Sequence, residues 1–330
     1  ARQTSAVSFW AGLGSACLFS LIFFMLASPI LRLSGATDET YAITYEYAKW
    51  VVVLGGSAAI LNTLLANLVR AEGSAAAASF GVSMGGLINI MLDVFLVLPH
   101  FAGLGAAGAG IATAVSNFCA AIYFMLYIFI KRKSTVISIN PRLLKYASLH
   151  IKEILKIGFP SAVQYALTVV AVAAQAKFVS RYVTEAVAGL GIVKKLDQLP
   201  LYFSIGVANG LLPLLAYNNA AGNHERRKNE FRFVCIVSFG FAFLCLIVYE
   251  IFAEPLAGIF IDDRLTAEYA ASFLRIMVTA MPLMAVCYPM IVQFQAIGRL
   301  KESLVCSVAR KGVLDIPLLF ILDRLWPLYG

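Results

Sequence analysis

Two polar side chains one helical turn apart interrupt an apolar segment in the first third of the chain: Asn89 and Asp93. At a spacing of four residues both project from one face of a helix. The next apolar segment begins with Gly and Ala residues and carries Thr113. Because small side chains let helices approach closely, we expect the Asn89 amide, the Asp93 carboxylate and the Thr113 hydroxyl to converge.

The oxygen atoms of these three groups determine the chemistry that they could support. Carboxylate, amide and hydroxyl oxygens suit a hard cation such as Na⁺. A carboxyl group withdrawn from water also suits H⁺, because the loss of water disfavours the charged form. The sequence therefore predicts a coupling site for Na⁺ or H⁺ at Asp93, Asn89 and Thr113, with no other cofactor and no catalytic residue. A hydrogen-bonded cluster that only holds the two helices together is the alternative.

A second set of candidates lies in the second half of the chain. Gln164, Thr168 and Gln175 follow one stripe of an apolar helix, which faces either a cavity or a partner helix. Three further side chains could complete a pliable binding site: Asn209, Met281 and Tyr288. Ordinary packing is the alternative for each of them.

The composition places all of these residues in a membrane protein. Of 330 residues, 61% are apolar and 13% are charged, and the mean hydropathy is +0.83. A soluble domain is about 45–50% apolar, so lipid must surround much of this chain. The net charge of +8 would favour nucleic acid in a soluble protein, but the basic residues lie mostly between apolar runs and indicate topology. We therefore expect a lipid bilayer and no nucleic acid as partner.

Nine segments are apolar and long enough to cross a bilayer, which takes about 20 residues. Because every backbone amide in lipid must be paired internally, we predict that they are helices. The predicted spans are 7–27, 41–68, 75–98, 106–130, 155–179, 186–217, 233–252, 267–297 and 303–322. The six cysteines lie inside these runs without C-x-x-C spacing, which predicts buried thiols and no metal site.

Lysine and arginine residues predict the direction of the spans. Fifteen basic residues fall on the side that holds residue 1, and five fall on the other side. The positive-inside rule therefore places residue 1 in the cytoplasm. Asn140 and Pro141 precede a basic amphipathic stretch between the fourth and fifth spans. This stretch is either an interfacial linker or a helical extension of the fifth span.

An internal repeat divides the chain into two lobes. Four short matches recur in order at offsets of 222 to 226 residues: Leu21 with Leu246, Ala27 with Ala253, Gly73 with Gly298, and Asp93 with Asp315. The matching spans are six apart, and because six is an even number of crossings, the two repeats run in the same direction through the membrane. We predict an all-α, two-lobed helical bundle with an N-lobe at 1–130, a cytoplasmic interfacial linker at 131–154 and a C-lobe at 155–330. The same arithmetic predicts nine of twelve spans, with two before this chain and one after it.

Six short segments carry a resemblance to one transporter family. They are NLVRAEG (67–73), GAAGAGIAT (105–113), IGFPS (157–161), GIVKK (191–195), GLLPLLAYN (210–218) and QAIG (295–298). Together they resemble the multidrug and toxic compound extrusion (MATE) family, and segment 210–218 is similar to its MepA-like bacterial branch. The resemblance covers nearly the whole chain.

The resemblance implies a transporter and not an enzyme. Such a protein exports cationic or amphipathic drugs from a bacterium by antiport with Na⁺ or H⁺ through alternating access of two lobes, and we expect a monomer in the inner membrane. Asn89, Asp93 and Thr113 match the N-lobe ion site of the DinF-like branch, which also uses an Asp on the first family helix. The NorM-like branch uses a Glu and an Asp in its C-lobe, and the fifth and eighth spans of this chain contain neither in their cores.

Three other interpretations stay open. A lipid-linked sugar flippase of the same superfamily would need a cationic cavity, for which Lys194, Lys195 and Arg310 are candidates. An inactive transporter fragment is the second interpretation. An intramembrane enzyme is disfavoured, because no H-E-x-x-H, G-x-S-x-G or paired-Asp motif lies within a span.

Overall fold

Helices make up the regular structure of the described chain, which confirms the predicted all-α class. The computed structural model describes residues 1–33, 38–179, 181–309 and 314–328. The elements are α1 (Arg2–Met25), α2 (Ala27–Leu33), α3 (Tyr41–Ala48), a π-helical turn (Lys49–Leu54), α4 (Gly56–Ala71), α5 (Ala75–Val97), α6 (Gly105–Ile130), a 3₁₀ helix (Pro141–Tyr146), α7 (Ala147–Val179), α8 (Thr184–Ala220), α9 (His224–Gly258), α10 (Arg264–Val278), α11 (Met281–Ala296), α12 (Leu300–Val308) and α13 (Asp315–Leu325).

Several of these helices are suited to crossing a membrane. Within the described ranges, six helices are long and apolar enough, and the number rises to eight if each of two bent pairs forms one span. These eight correspond to the first eight predicted spans. The ninth predicted span, 303–322, includes residues 310–313, which lie outside the described residues, and α12 and α13 flank them.

Two of the predicted spans are each bent. The second span bends by 49° between the π-helical turn and α4, and the eighth bends by 52° between α10 and α11. At the first bend, a Cβ on Gly55 would lie 2.9 Å from the Cβ of Ala114, so α6 passes too close for any larger residue. At the second, Pro282 occupies the first turn of α11, where its missing N–H costs no helical bond.

The chain forms two compact units, Ala1–Ile154 and Leu155–Gly330. In the first unit, Leu65 and Phe124 belong to a core built from α1, α4, α5 and α6. In the second, Leu274 belongs to a core built mainly from α8, α9 and α10. Because lipid tails are as apolar as these side chains, close packing stabilises both cores more than escape from water does.

The cysteines do not all lie where the sequence predicts. Cys245 is buried, but Cys17 is exposed on α1, and the other four are partly exposed. The prediction of six buried thiols was therefore wrong. An apolar side chain on a membrane helix can face lipid as well as the core, so apolar surroundings in the sequence do not establish burial in the protein.

Residues 135–139, which follow α6, are hydrogen-bonded to α1 and to the end of α4; we call this segment the strap. The Thr135 hydroxyl donates a hydrogen bond of 2.6 Å to the Glu72 carboxylate at the end of α4. The Trp10 indole N–H of α1 donates to the Ile139 carbonyl oxygen at 3.0 Å. Thr135 is only 2% exposed, so the strap is part of the packed unit.

The amphipathic stretch that follows the strap begins with the predicted cap. The Asn140 side chain accepts a hydrogen bond from the backbone N–H of Arg142 and starts the 3₁₀ helix Pro141–Tyr146. This helix leads directly into α7, which runs from Ala147 to Val179. The end of this stretch is thus helical and continuous with the fifth predicted span, and its position at the membrane interface stays a prediction.

Candidate functional site

Glycine residues bring α5 and α6 into close contact. A Cβ on Gly81 would lie 2.5 Å from an aromatic ring of α6, and one on Gly108 would lie 2.5 Å from the carbonyl oxygen of Leu96. Real Cβ atoms do not approach other atoms so closely, so these positions require glycine at the observed helix separation. The contact places the half of α5 that carries Asn89 and Asp93 beside α6.

The side chains of Asn89 and Asp93 turn away from the exposed face of α5. Leu87 and Ile90 are 63% and 62% exposed, as expected for side chains that face lipid. Asn89 and Asp93 are half-buried, and both Asp93 Oδ1 and Asn89 Nδ2 are buried without a hydrogen-bond partner in the described structure. Leaving a buried polar atom unpaired costs about 1–3 kcal/mol, and more for a charged group. A bound cation or proton would remove this cost at Asp93.

The Asn89 amide can serve either ligand. A half-turn about its last side-chain bond exchanges Nδ2 and Oδ1 with almost no change of shape. With the oxygen in the buried position, Asn89 and Asp93 offer two oxygens to a cation. With the nitrogen there, Asn89 offers a hydrogen-bond donor.

Thr113 lies on α6 and is also half-buried. Its hydroxyl donates a hydrogen bond of 3.0 Å to the carbonyl oxygen of Ala109, one turn earlier in the same helix. The lone pairs of a hydroxyl that donates its proton can still accept or coordinate. In the described structure no hydrogen bond joins Thr113 to Asn89 or Asp93. The convergence of the three groups therefore stays a prediction.

Sequence reasoning missed an amide pair in the same unit. The side-chain N–H of Asn62 on α4 donates to the side-chain oxygen of Asn117 on α6 at 3.0 Å. Asn117 in turn donates to the Thr113 carbonyl oxygen at 2.8 Å. Asn62 Oδ1 is itself buried without a partner in the described structure. An asparagine in each of two apolar segments was the available signal, because a buried amide in a membrane helix usually bonds across helices.

The chemistry of this first unit suits a monovalent ion. No group of three or more His, Cys, Asp and Glu residues that could hold a metal ion occurs among the described residues. A divalent ion such as Ca²⁺ usually requires several carboxylates, whereas Asp93 supplies one. One carboxylate in an apolar helix can bind one Na⁺ or one H⁺.

The second set of candidates is distributed along α7, α8 and α11. Thr168 donates to the Gln164 carbonyl oxygen at 2.9 Å within α7, and both side chains are half-buried. Asn209 is exposed and Tyr288 is half-buried. Met281 is 8% exposed and belongs to the core of the second unit, so its position does not support the predicted place in a drug cavity.

Gln175 lines a cavity of about 170 Å³ within the second unit. The walls come from α7, α8, α10 and α13, together with Tyr182 and Leu328. At this cavity the Tyr182 hydroxyl donates a hydrogen bond of 2.6 Å to Oδ1 of Asp323. That bond raises the pKa of Tyr182, since it stabilises the protonated phenol. Asp323 was not among the candidates, because it lies at the end of a span and only the fold brings it to Gln175.

The comparisons with known proteins agree with the helical fold. The family model described as MatE matches residues 1–95 and 160–321. The multidrug export protein MepA of Staphylococcus aureus (strain bovine RF122 / ET3-1) is 30% identical over 330 residues, which is 100% of this chain and 71% of MepA.

Solved transporters share the same arrangement of helices. A mutant of the Vibrio cholerae MATE transporter VcmN superposes with a TM-score of 0.88 at 20% identity, over 100% of this chain and 74% of VcmN. A MOP superfamily transporter from Pyrococcus furiosus gives 0.89 at 21% identity, over 99% of this chain and 73% of that one. With the family match over most of its length, the chain is a membrane transporter rather than an enzyme, and it belongs to the MatE family of multidrug and toxic compound extrusion transporters.

Proposed function

We propose that this protein is a secondary active exporter of cationic or amphipathic drugs in a bacterial inner membrane. It exchanges the drug for Na⁺ or H⁺ by alternating access, and it works as a monomer. The observation that carries the proposal is the buried, unpartnered Oδ1 of Asp93 on an apolar helix. The relatives named as multidrug export proteins support the class of cargo.

The first step of the mechanism is the neutralisation of Asp93. A cation that enters from outside binds at Asp93, with the Asn89 amide and the Thr113 hydroxyl as further oxygen ligands. H⁺ would bind to Asp93 alone, with Asn89 accepting or donating a hydrogen bond beside it. Either ion removes a buried negative charge, whose cost in a membrane helix is roughly 2.5–3.5 kcal/mol on insertion scales.

The second step is a change in the packing of α5 on α6. The glycine contacts leave little free space between these helices, so a bound ion acts on a tightly packed contact. We propose that the ion-bound packing favours the outward-open state, in which the drug leaves. The ion-free, charged site favours the state that accepts drug from the cytoplasm.

The contribution of the membrane potential to transport depends on the charge of the drug. One elementary charge moving inward gains about 2.3 kcal/mol per 100 mV, which supports a concentration ratio of about fifty. This voltage term applies to a neutral drug exchanged for one cation. Exchange of one monovalent drug for one cation moves no net charge, so only the concentration ratio of the ion drives it.

A sugar-lipid flippase is the weaker candidate. It would need basic side chains that converge on a cavity, and of the three candidates Lys194 is half-buried and Lys195 is exposed. Arg310 lies outside the described residues. The MepA relatives favour the exporter.

The test of the proposed function is Asp93→Asn, which preserves shape and hydrogen bonding but cannot carry the charge. We expect ion-driven drug efflux from proteoliposomes to fall at least tenfold, with unchanged expression and thermal stability. Asp38→Asn is the matched control, because Asp38 is 86% exposed in a loop and pairs with Arg32. Efflux by Asp93→Asn at the rate of Asp38→Asn would refute the role of Asp93.

A further inference from the structure

The cavity of the second unit plays no part in the proposed ion coupling, and it has the size of a small ligand. Its volume is about 170 Å³. For comparison, an apolar protein cavity of about 150 Å³ binds benzene. The space therefore accommodates one aromatic ring, with room toward the open side for a short substituent.

The walls of the cavity are apolar and include two phenyl rings. Phe178 of α7 and Phe273 of α10 line it, together with Met277 of α10 and Leu319 of α13. Aromatic faces attract cations as well as other rings, and a methionine side chain adapts to the shape of what it contacts. Such walls bind a ring and tolerate variation in its substituents.

Two of the side chains at the cavity present acceptor oxygens. Gln175 Oε1 is buried without a hydrogen-bond partner in the described structure. Asp323 contributes a carboxylate, and the Tyr182 hydroxyl donates its only proton to Oδ1 of that carboxylate. A ligand that satisfies these atoms must bring hydrogen-bond donors, and a positive charge beside the carboxylate would strengthen the contact.

In the part of the chain that the structure describes, the Asp323 carboxylate forms no ion pair. Within the described chain, no lysine or arginine nitrogen lies within 4.0 Å of the Asp323 carboxylate. The Arg181 guanidinium lies 4.7 Å from the centre of the Phe178 ring, so it lowers the attraction of that ring for a further cation. Arg324, the next residue along α13, lines a separate pocket with Phe320 and Leu325.

We propose that this cavity is a binding site for the protonated amine of a small, single-ring amphiphile. The ring contacts Phe178, Phe273 and Met277, and the ammonium group donates to Asp323 and Gln175. The residues belong to the ends of α7 and α13, which the charge distribution predicts to be external. The site therefore holds cargo on the exit side; this assignment rests on the proposed export of organic cations, whereas the binding itself does not.

The experiment compares two probes on the purified protein in lipid nanodiscs, with no ion gradient. The probes are 3-phenylpropylammonium and its neutral analogue 3-phenylpropan-1-ol, and saturation-transfer NMR titration gives their Kd values. We expect the amine to bind at least tenfold more tightly than the alcohol. Equal affinity, or no binding of the amine, would overturn the proposal.

Three substitutions assign the binding to this cavity. Asp323→Asn should weaken the amine at least tenfold and leave the alcohol unchanged, whereas Asp262→Asn, in the exposed loop before α10, should change neither. Leu319→Trp should block both probes by filling the space. Tyr182→Phe, which frees the carboxylate, should preserve amine binding. If Asp323→Asn and Asp262→Asn bind the amine equally well, the amine does not bind through Asp323 and the proposed site is refuted.

The same measurements separate this proposal from the proposed function. Asp93→Asn should retain amine binding in the cavity, because Asp93 belongs to the other unit. Amine binding that depends on Asp323, together with efflux that does not depend on Asp93, would refute the coupling role and support the cavity. The reverse result would refute the cavity alone.

Discussion

Asn62 and Asn117 form a direct amide–amide hydrogen bond of 3.0 Å between α4 and α6. Asn117 also bonds to the carbonyl oxygen of Thr113, so the pair connects α4 to the turn of α6 that carries a predicted ion ligand. A polar bond of this kind fixes the rotation of one membrane helix against another, which apolar contacts alone do not. The position of Thr113 therefore depends on α4 as well as on α6.

Asn62→Ala should destabilise the first unit by about 0.6–1.7 kcal/mol, the range measured for hydrogen bonds between membrane helices. Thermal unfolding in detergent measures the effect. Asn67→Ala on the same helix is the control, because Asn67 is exposed and bonds only to Arg70 in the described structure. Equal losses in the two variants would show that the amide pair contributes nothing specific.

Gly108→Ala should destabilise the α5–α6 contact by about 1–3 kcal/mol, the usual cost of overpacking. The new methyl group would meet the Leu96 carbonyl oxygen at 2.5 Å, and a backbone atom cannot rotate away. Gly86→Ala is the matched variant, since no atom lies within 4 Å of a Cβ there. It should be neutral, or stabilising by up to about 1 kcal/mol through helix propensity. A neutral Gly108→Ala would mean that the helices are farther apart than described.

Glu72→Ala should loosen the strap. The carboxylate holds the Thr135 hydroxyl at 2.6 Å, and a partly exposed charged hydrogen bond of this type contributes about 1 kcal/mol. Trypsin cleavage at the exposed residues Lys131–Lys133 should then accelerate about fivefold, because cleavage follows the fraction of opened strap.

Two variants accompany this proteolysis measurement. Thr135→Val should also accelerate cleavage, because it removes the 2.6 Å bond to Glu72. The acceleration should be smaller than in Glu72→Ala, since the Val136 backbone N–H still donates to the other Glu72 oxygen at 3.3 Å. Glu39→Ala, an exposed acid in another loop, should not change the cleavage rate. Slow cleavage of Thr135→Val would argue that Glu72 acts through some other contact.

Asp263 should make the stability of α10 depend on pH in the acid range. Its side chain accepts hydrogen bonds from the Thr266 hydroxyl and backbone N–H at 2.6 and 2.8 Å, which lower the pKa of Asp263. A lowered folded-state pKa contributes stability above the unfolded value of about 3.9, and this contribution is lost as the pH falls through the folded value. The protection factors of the amides in the first turn of α10 should fall below about pH 4. In Asp263→Asn this pH dependence should be absent, and its persistence would assign it to another group.

The sequence predicts the spans well because lipid imposes one requirement on every crossing segment. Long apolar runs must be helices, so the ends of α5 and α6 lie within one residue of the predicted spans 75–98 and 106–130. The bend at Gly55 was not predicted. A glycine permits a bend, and the close approach of α6 leaves room only for glycine at position 55.

The candidate sites are harder to predict, because they depend on side-chain directions in three dimensions. Asn89 and Asp93 stand out in sequence by their spacing in an apolar run. The bond between Asn62 and Asn117 and the approach of Asp323 to Tyr182 span 55 and 141 residues. No local pattern encodes contacts at such separations, and the same types of residue also occur at exposed positions, as Asn209 does.

The most direct test of the central claim measures drug affinity against the concentration of each ion. If the ion bound at Asp93 disfavours the state that accepts the drug, the apparent Kd for the drug rises with the concentration of the coupling ion, with a slope of at most tenfold per tenfold, until Asp93 is saturated. Titrations of the purified protein with Na⁺ and pH varied separately should show this slope for one ion, and Asp93→Asn should abolish it. A drug affinity that is independent of both ions, or a slope that persists in Asp93→Asn, would contradict ion coupling at Asp93.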